Sequence, residues 1–183
     1  EGSSDIAANC HKIPQKRFKK ELSSVDEIVN DLEVIGHSVA QINDRAKIIF
    51  TISPVRHLKD GIVENQQSKA HLITALHEFL KTNSSAAYFP SYEIMMDELR
   101  DYRFYSEDML HPSKLAVDYI WQLFSYNWIS EKSLELNLEI DNIQKALSHR
   151  SRAENSAIHK KFLTKLQGKI EEIQKKHPEI TFS

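Results

Sequence analysis

Along most of this chain, apolar residues recur at intervals of three and four, the period of an amphipathic helix. "SSVDEIVNDLEVI" places Val25, Ile28, Val29, Leu32 and Ile35 on one helical face. Ser24 supplies an N-cap, and Glu27 completes a capping box. Two runs break the helical period. "AKIIFTIS" (46–53) is almost continuously apolar and β-branched, which predicts a strand buried on both faces, as in a parallel sheet. Pro54 ends it, and the loop "PVRHLKDGIVENQQ" follows. Ser68 then caps a helix carrying Leu72, Leu76, Phe79 and Leu80. "AAYF" (86–89), closed by Pro90, is the second short strand. Strand, helix, strand makes a βαβ unit. "SYEIMMDELRDYRFY" predicts a short helix and a loop, after which a strongly apolar helix runs to about Trp128.

From Leu134 the texture changes. Leu136, Ile140, Ile143 and Leu147 form one stripe, and Ile158, Phe162, Leu166, Ile170 and Ile173 form another, joined by the polar link "SHRSRAENSA". Two helices with a short link predict an antiparallel helical hairpin, packed on the domain or on a partner chain. The expected organisation is therefore an α/β portion over 1–130 and a hairpin over 131–183. With four glycines in 183 residues, the chain is helix-rich. Two buried strands are too few for a stable parallel sheet, so the sheet is expected to be incomplete.

Charge changes this picture little. The 24 Lys and Arg against 26 Asp and Glu leave a net charge of −2, which points to neither nucleic acid nor an anionic membrane as partner. No apolar run is long enough to span a bilayer. A single cysteine, Cys10, excludes an internal disulfide framework and fits a reducing, cytoplasmic setting.

The candidate chemistry centres on "EDMLHPS", where Asp108 precedes His111 by three residues. A histidine acting as general base needs a carboxylate to fix its tautomer and stabilise the imidazolium, and residues three apart on a tight turn can share one cleft. The same residues also suit a helix start, with Pro112 or Ser113 in the first turn. "TISPVRH" brings Ser53, Arg56 and His57 to the end of the first strand, the edge where open α/β sheets gather their sites. A nucleophile is harder to find. Ser3 and Ser4 in "EGSSD" follow no strand, and Pro54 removes the N–H that would follow Ser53 in an oxyanion hole. Among nine histidines no metal-ligand spacing occurs: His71 and His77 lie on different faces of one helix. His149 and Arg150 lie in the hairpin link.

"ANCHKIP", "FTISPVRHLKDG", "SKAHL", "YFPSYEIMMDELRDYRFY" and "EDMLHPS", in this order, resemble the bacterial GSCFA family of the SGNH, or GDSL-like, hydrolase superfamily. His149, Arg150 and Asn155 resemble its C-terminal part. The resemblance implies a three-layer α/β/α fold with a mostly parallel sheet. It implies Asp108 as orienter and His111 as base in the superfamily's Asp-x-x-His block. It also implies an oxyanion or substrate-binding role near "SPVRH", with His57 the leading candidate beside Ser53, Arg56 and Asn65. The family's Gly-Ser-Cys-Phe-Ala motif, whose serine matches the superfamily nucleophile, does not occur in the 183 residues. The expectation is a serine ester hydrolase without cofactor or metal, acting on a small-molecule or carbohydrate ester, in a chain lacking the N-terminal part of the domain. The alternative is a non-catalytic interaction module that pairs as a homodimer through the hairpin.

Overall fold

The computed structural model describes residues 20–148 and 157–182. The first helix, α1 (Val25–Ile42), starts on the expected capping box. The Glu27 N–H donates to the Ser24 hydroxyl at 3.3 Å, and the Glu27 carboxylate accepts the Ser24 N–H at 2.8 Å. The Ser24 N–H, and then the Ser24 hydroxyl donating to the same carboxylate at 3.0 Å, hold the Glu27 carboxyl below the usual carboxylate range. Two orphan donors of the first turn are thus satisfied locally.

The βαβ unit is present. Strand β1 (Ile48–Phe50) pairs in parallel with β2 (Ala86–Tyr88), Ile48 opposite Ala86 and Phe50 opposite Tyr88, and α2 (Ile62–Thr82) makes the crossover. Phe79 on α2 is 1 % exposed and meets the Phe50 ring edge-on, with centroids 5.7 Å apart. Ile52, Leu76 and Phe79 form the core of this part, with Leu32, Ile73, Leu80 and Tyr92 packed around it. Gly36 lets α1 approach α2 closely: a Cβ there would stand 3.3 Å from the Phe79 ring.

Four local expectations fail for physical reasons. The first strand covers only Ile48–Phe50 and is not buried on both faces, since Ile49 is 37 % exposed. Beyond Phe50 the chain leaves the ladder, and the Thr51 hydroxyl bonds instead to the Ser91 hydroxyl. The second helix begins at Ile62 rather than at a Ser68 cap. Gly61, at φ 98°, makes a turn that side-chain-bearing residues resist, and its carbonyl accepts the Asn65 N–H to open the helix. The apolar face of α1 stops short of Ile35, which is 46 % exposed. In the hairpin, Leu147 and Phe162, toward the link end of their stripes, stay exposed.

After β2, helix α3 (Ser91–Glu93) widens at once into a π-turn over Ile94–Glu98, closed by the Leu99 N–H on the Ile94 carbonyl at 3.0 Å. Ile94, Met95 and Leu99 point into the core from this segment. A short 3-10 turn (Tyr102–Phe104) leads to the loop before α4 (Lys114–Trp128), whose Ala116 N–H donates to the Ser113 hydroxyl at 3.4 Å.

The chain divides into two compact units, Glu1–Ile120 and Trp121–Ser183. In the second, α5 (Glu131–Ser148) and α6 (Ala157–Lys176) pack through Ile143, Leu166, Ile170 and Ile173. The start of α5 and the end of α6 line one hollow, as an antiparallel pair requires. Ile180 and Phe182 fold back onto this core, and Gln174 holds the Ile180 carbonyl at 3.1 Å. The link 149–156, with His149, Arg150 and Asn155, lies outside the described residues, as do Ser3, Ser4 and Cys10. Among the described residues the molecule is thus helix-rich with a two-stranded parallel sheet, and no helix is long and apolar enough to cross a membrane.

Phe79→Ala removes the best-buried ring of the first unit. It is expected to cost about 3–5 kcal/mol in chemical denaturation, whereas Phe162→Ala, at a 40 % exposed position, should shift the midpoint little.

Candidate active site

The Asp108 loop is closed by its own backbone. Tyr105 and Pro112 form an antiparallel bridge, the Ser106 N–H donates to the His111 carbonyl at 2.8 Å, and the Ser113 N–H donates to the Phe104 carbonyl at 2.8 Å. Inside this ring, Met109 takes a left-handed backbone, φ 61°. That conformation costs a residue with a Cβ about 1–2 kcal/mol. It is held by the Met109 N–H on the Ser106 carbonyl at 2.9 Å and by the side chain of Asp108.

Asp108 divides its carboxylate between two tasks. Oδ1 accepts the backbone N–H groups of Leu110 at 2.9 Å and His111 at 3.0 Å, which fixes the turn. Oδ2 stands 2.5 Å from Nδ1 of the His111 ring. The His111 backbone N–H, then its ring, then the Leu110 N–H together hold the Asp108 carboxyl down to about 2. Asp108 is therefore ionised at neutral pH and can only accept, so Nδ1 carries the shared proton. In the neutral ring the lone pair then sits on Nε2. Among the described residues Nε2 has no hydrogen-bond partner, and the side chain is 61 % exposed. The arrangement is an oriented imidazole with its basic nitrogen open to a reactant.

The loop leaving β1 is built differently. Asn65 is 5 % exposed, and its Oδ1 accepts the His57 backbone N–H at 2.8 Å. Lys69, one helical turn on and also 5 % exposed, donates to the Ser53 carbonyl at 2.6 Å; burial pushes its ammonium pKa down. These two side chains pin the loop from beneath. The Ser53 hydroxyl accepts the Val55 N–H at 3.2 Å, while the side chains of Arg56 and His57 are exposed.

The two loops meet at a cleft of about 390 Å³, lined by Arg56, Met96, Arg100, Asp101, Tyr102, Tyr105 and Met109. Arg56 thus reaches the hollow that borders the Asp108 turn. Ser53, His57 and Asn65 do not line it: Ser53 and Asn65 are spent on the loop itself. Lys69, Met96, Arg100 and the two tyrosines escaped the sequence reading. Lys69 follows Asn65 by four residues, the spacing of one helical face, but a lysine there signals solvent rather than a buried strut. The density of arginine and tyrosine in "ELRDYRFY" was the only trace of the cleft wall. His71 and His77 do point apart: one bonds the Ser23 carbonyl at 2.7 Å, the other packs on Tyr88. Among the described residues no group of three or more His, Cys, Asp or Glu is placed to hold a metal.

Fold and site define a helix-rich protein with a parallel βαβ unit and an aspartate-oriented histidine beside a cleft. The GSCFA family profile matches residues 1–124, and the profile described as the GSCFA domain protein, C-terminal domain, matches residues 140–183. The chain belongs to the GSCFA family. Neither the curated proteins nor the solved structures give a match.

The folded Asp108 pKa lies below the ordinary 3.8, so its contribution to stability is complete above that value and is lost as pH falls through about 2. Carbon-13 NMR of the Asp108 carboxyl should show that midpoint. In His111→Ala both backbone donors remain, so the midpoint should return only part of the way to 3.8; a full return would mean that the ring alone holds the charge.

Proposed function

We propose that this protein is an SGNH-type serine ester hydrolase, with His111 as general base and Asp108 as its orienter, acting on an O-acyl ester of a carbohydrate. One observation carries the reading: Asp108 holds Nδ1 of His111 at 2.5 Å and leaves Nε2 open. In the reaction, Nε2 takes the proton of a serine hydroxyl as its oxygen attacks the ester carbonyl carbon. The imidazolium, stabilised by Asp108, then gives that proton to the departing alkoxide. Water repeats the sequence on the acyl-enzyme. A base in this position contributes about 10²–10⁴ in rate. On the β1 loop the His57 backbone N–H is taken by Asn65, so of His57 it is the exposed ring that would donate to the oxyanion.

The serine is that of the Gly-Ser-Cys-Phe-Ala motif, which the 183 residues do not contain. The test is to join that segment from another family member ahead of Glu1 and to assay hydrolysis of p-nitrophenyl acetate. The joined protein should turn over, and His111→Ala should lower kcat by about 10³ or more. The 183 residues alone should show no serine-dependent rate. An inactive joined protein that keeps the Asp108–His111 bond by NMR would sink the hydrolase reading. A His111-dependent rate from the 183 residues alone would sink the assignment of the serine.

A further inference from the structure

The cleft beside the Asp108 turn has an unbalanced charge. Arg56 and Arg100 both line it, and among the described residues neither forms an ion pair; the contact of the Arg56 guanidinium is the Met96 sulfur at 3.9 Å. The acid in the wall is Asp101, and it is already engaged. Its Oδ2 accepts from Arg103 Nη2 at 3.1 Å and its Oδ1 accepts the Arg103 N–H at 3.0 Å. The Arg103 side chain, foremost, holds that carboxyl below the usual range. Asp101 therefore does not neutralise the other two arginines.

Two guanidiniums with no ion pair among the described residues would, on an open surface, be ordinary solvated charge. Here they converge on a concavity within the ~300–1,000 Å³ range of small-molecule sites. Its other lining residues include Tyr102, Tyr105, Met96 and Met109. Guanidinium forks recognise planar or tetrahedral oxyanions by paired N–H donors, and aromatic walls accept the apolar faces of a sugar ring. Met109 is next to Asp108 in the chain, which puts this hollow beside the turn that carries the dyad. The π-turn contributes as well. By widening the helix over Ile94–Glu98, it turns Ile94 and Met95 into the core while Met96 lines the cleft.

We infer that the cleft binds an oxyanion group of the substrate through Arg56 and Arg100, so that the ester acted on is an acylated sugar or polyol carrying a carboxylate or a phosphate. The assignment to an ester rests on the hydrolase reading; the anion site does not.

The test is binding to the 183-residue chain, which needs no turnover. Glucuronate, glucose 6-phosphate and glucose are titrated while the methyl signals of Met96 and Met109 are followed by NMR. At least one anionic sugar should bind about tenfold or more tightly than glucose, the equivalent of one charge-assisted hydrogen bond. Both methyl signals should move. Arg56→Ala and Arg100→Ala should each remove that preference, and Arg56→Lys and Arg100→Lys should restore part of it. Both positions are exposed, so folding is not at stake. Preference for glucuronate assigns the carboxylate, and preference for glucose 6-phosphate assigns the phosphate. Equal binding of glucose, unmoved methyl signals, or a preference that survives both alanine variants overturns the inference. Anion binding by a joined protein that stays inactive would overturn the hydrolase reading alone. Turnover in a joined protein whose cleft ignores anions would overturn the anion site alone.

Discussion

The carboxylate of Asp108 serves two geometries at once, and the chemistry of the site depends on their compatibility. Oδ1 closes the turn by taking two successive backbone N–H groups, while Oδ2 takes the ring of the residue that owns one of them. Backbone and side chain of His111 are thus referenced to the same group. Asp108 is 46 % exposed, so each bond competes with water and none would order the ring alone. Their shared anchor makes the difference: forming the turn bonds brings the carboxylate to the ring, and little further entropy is lost in making the last bond. The left-handed Met109 is the strain this closure accepts.

The scaffold around that turn works by backbone rather than by layers. The two strands that the described residues contribute do little by themselves to rigidify two loops. The loop after β1 is instead fixed from below by Asn65 and Lys69, polar groups whose burial is tolerable because each reaches a backbone partner. The segment after β2 is fixed by the π-turn and by Tyr119, whose hydroxyl donates to Glu98 at 2.7 Å and ties α4 to it. Both loops then present side chains to one cleft, although β1 and β2 are three residues long.

This division explains what could be read from the chain. The capping box, the parallel βαβ pairing, the end of α4 at Trp128 and the Ile143–Leu166–Ile170–Ile173 hairpin core all follow from local spacing, because apolar period and cap chemistry determine them. The Asp108–His111 pair was legible as a spacing; both of its meanings, turn cap and ring partner, hold together because a carboxylate has two oxygens. The start of α2 was misplaced because Gly61 overrode the serine signal at Ser68. Lys69 was invisible because propensity assigns lysine to solvent, and only the tertiary position of the Ser53 carbonyl reverses that. The cleft escaped because its walls come from the β1 loop, the π-turn and the Asp108 turn, and no window of sequence spans all three.

Exposure also determines what the dyad can and cannot do as described. An imidazolium formed beside Asp108 in open water feels a screened attraction, and the same pair at an effective dielectric near 20 rather than 80 feels it about fourfold more strongly. Orientation is therefore supplied by the turn, but electrostatic strength must come from whatever excludes water from the imidazole. On the hydrolase reading, a substrate seated in the cleft beside the turn would be such a cover. Its oxyanion would be held by Arg56 and Arg100, and its ring would lie against Tyr102 and Tyr105. Binding energy gained there, remote from the reacting carbonyl, would be spent on desolvating the base, which raises kcat rather than lowering KM alone. Removing the anionic group from a substrate should then slow the chemical step as well as weaken binding, a signature that a passive arginine patch would not give.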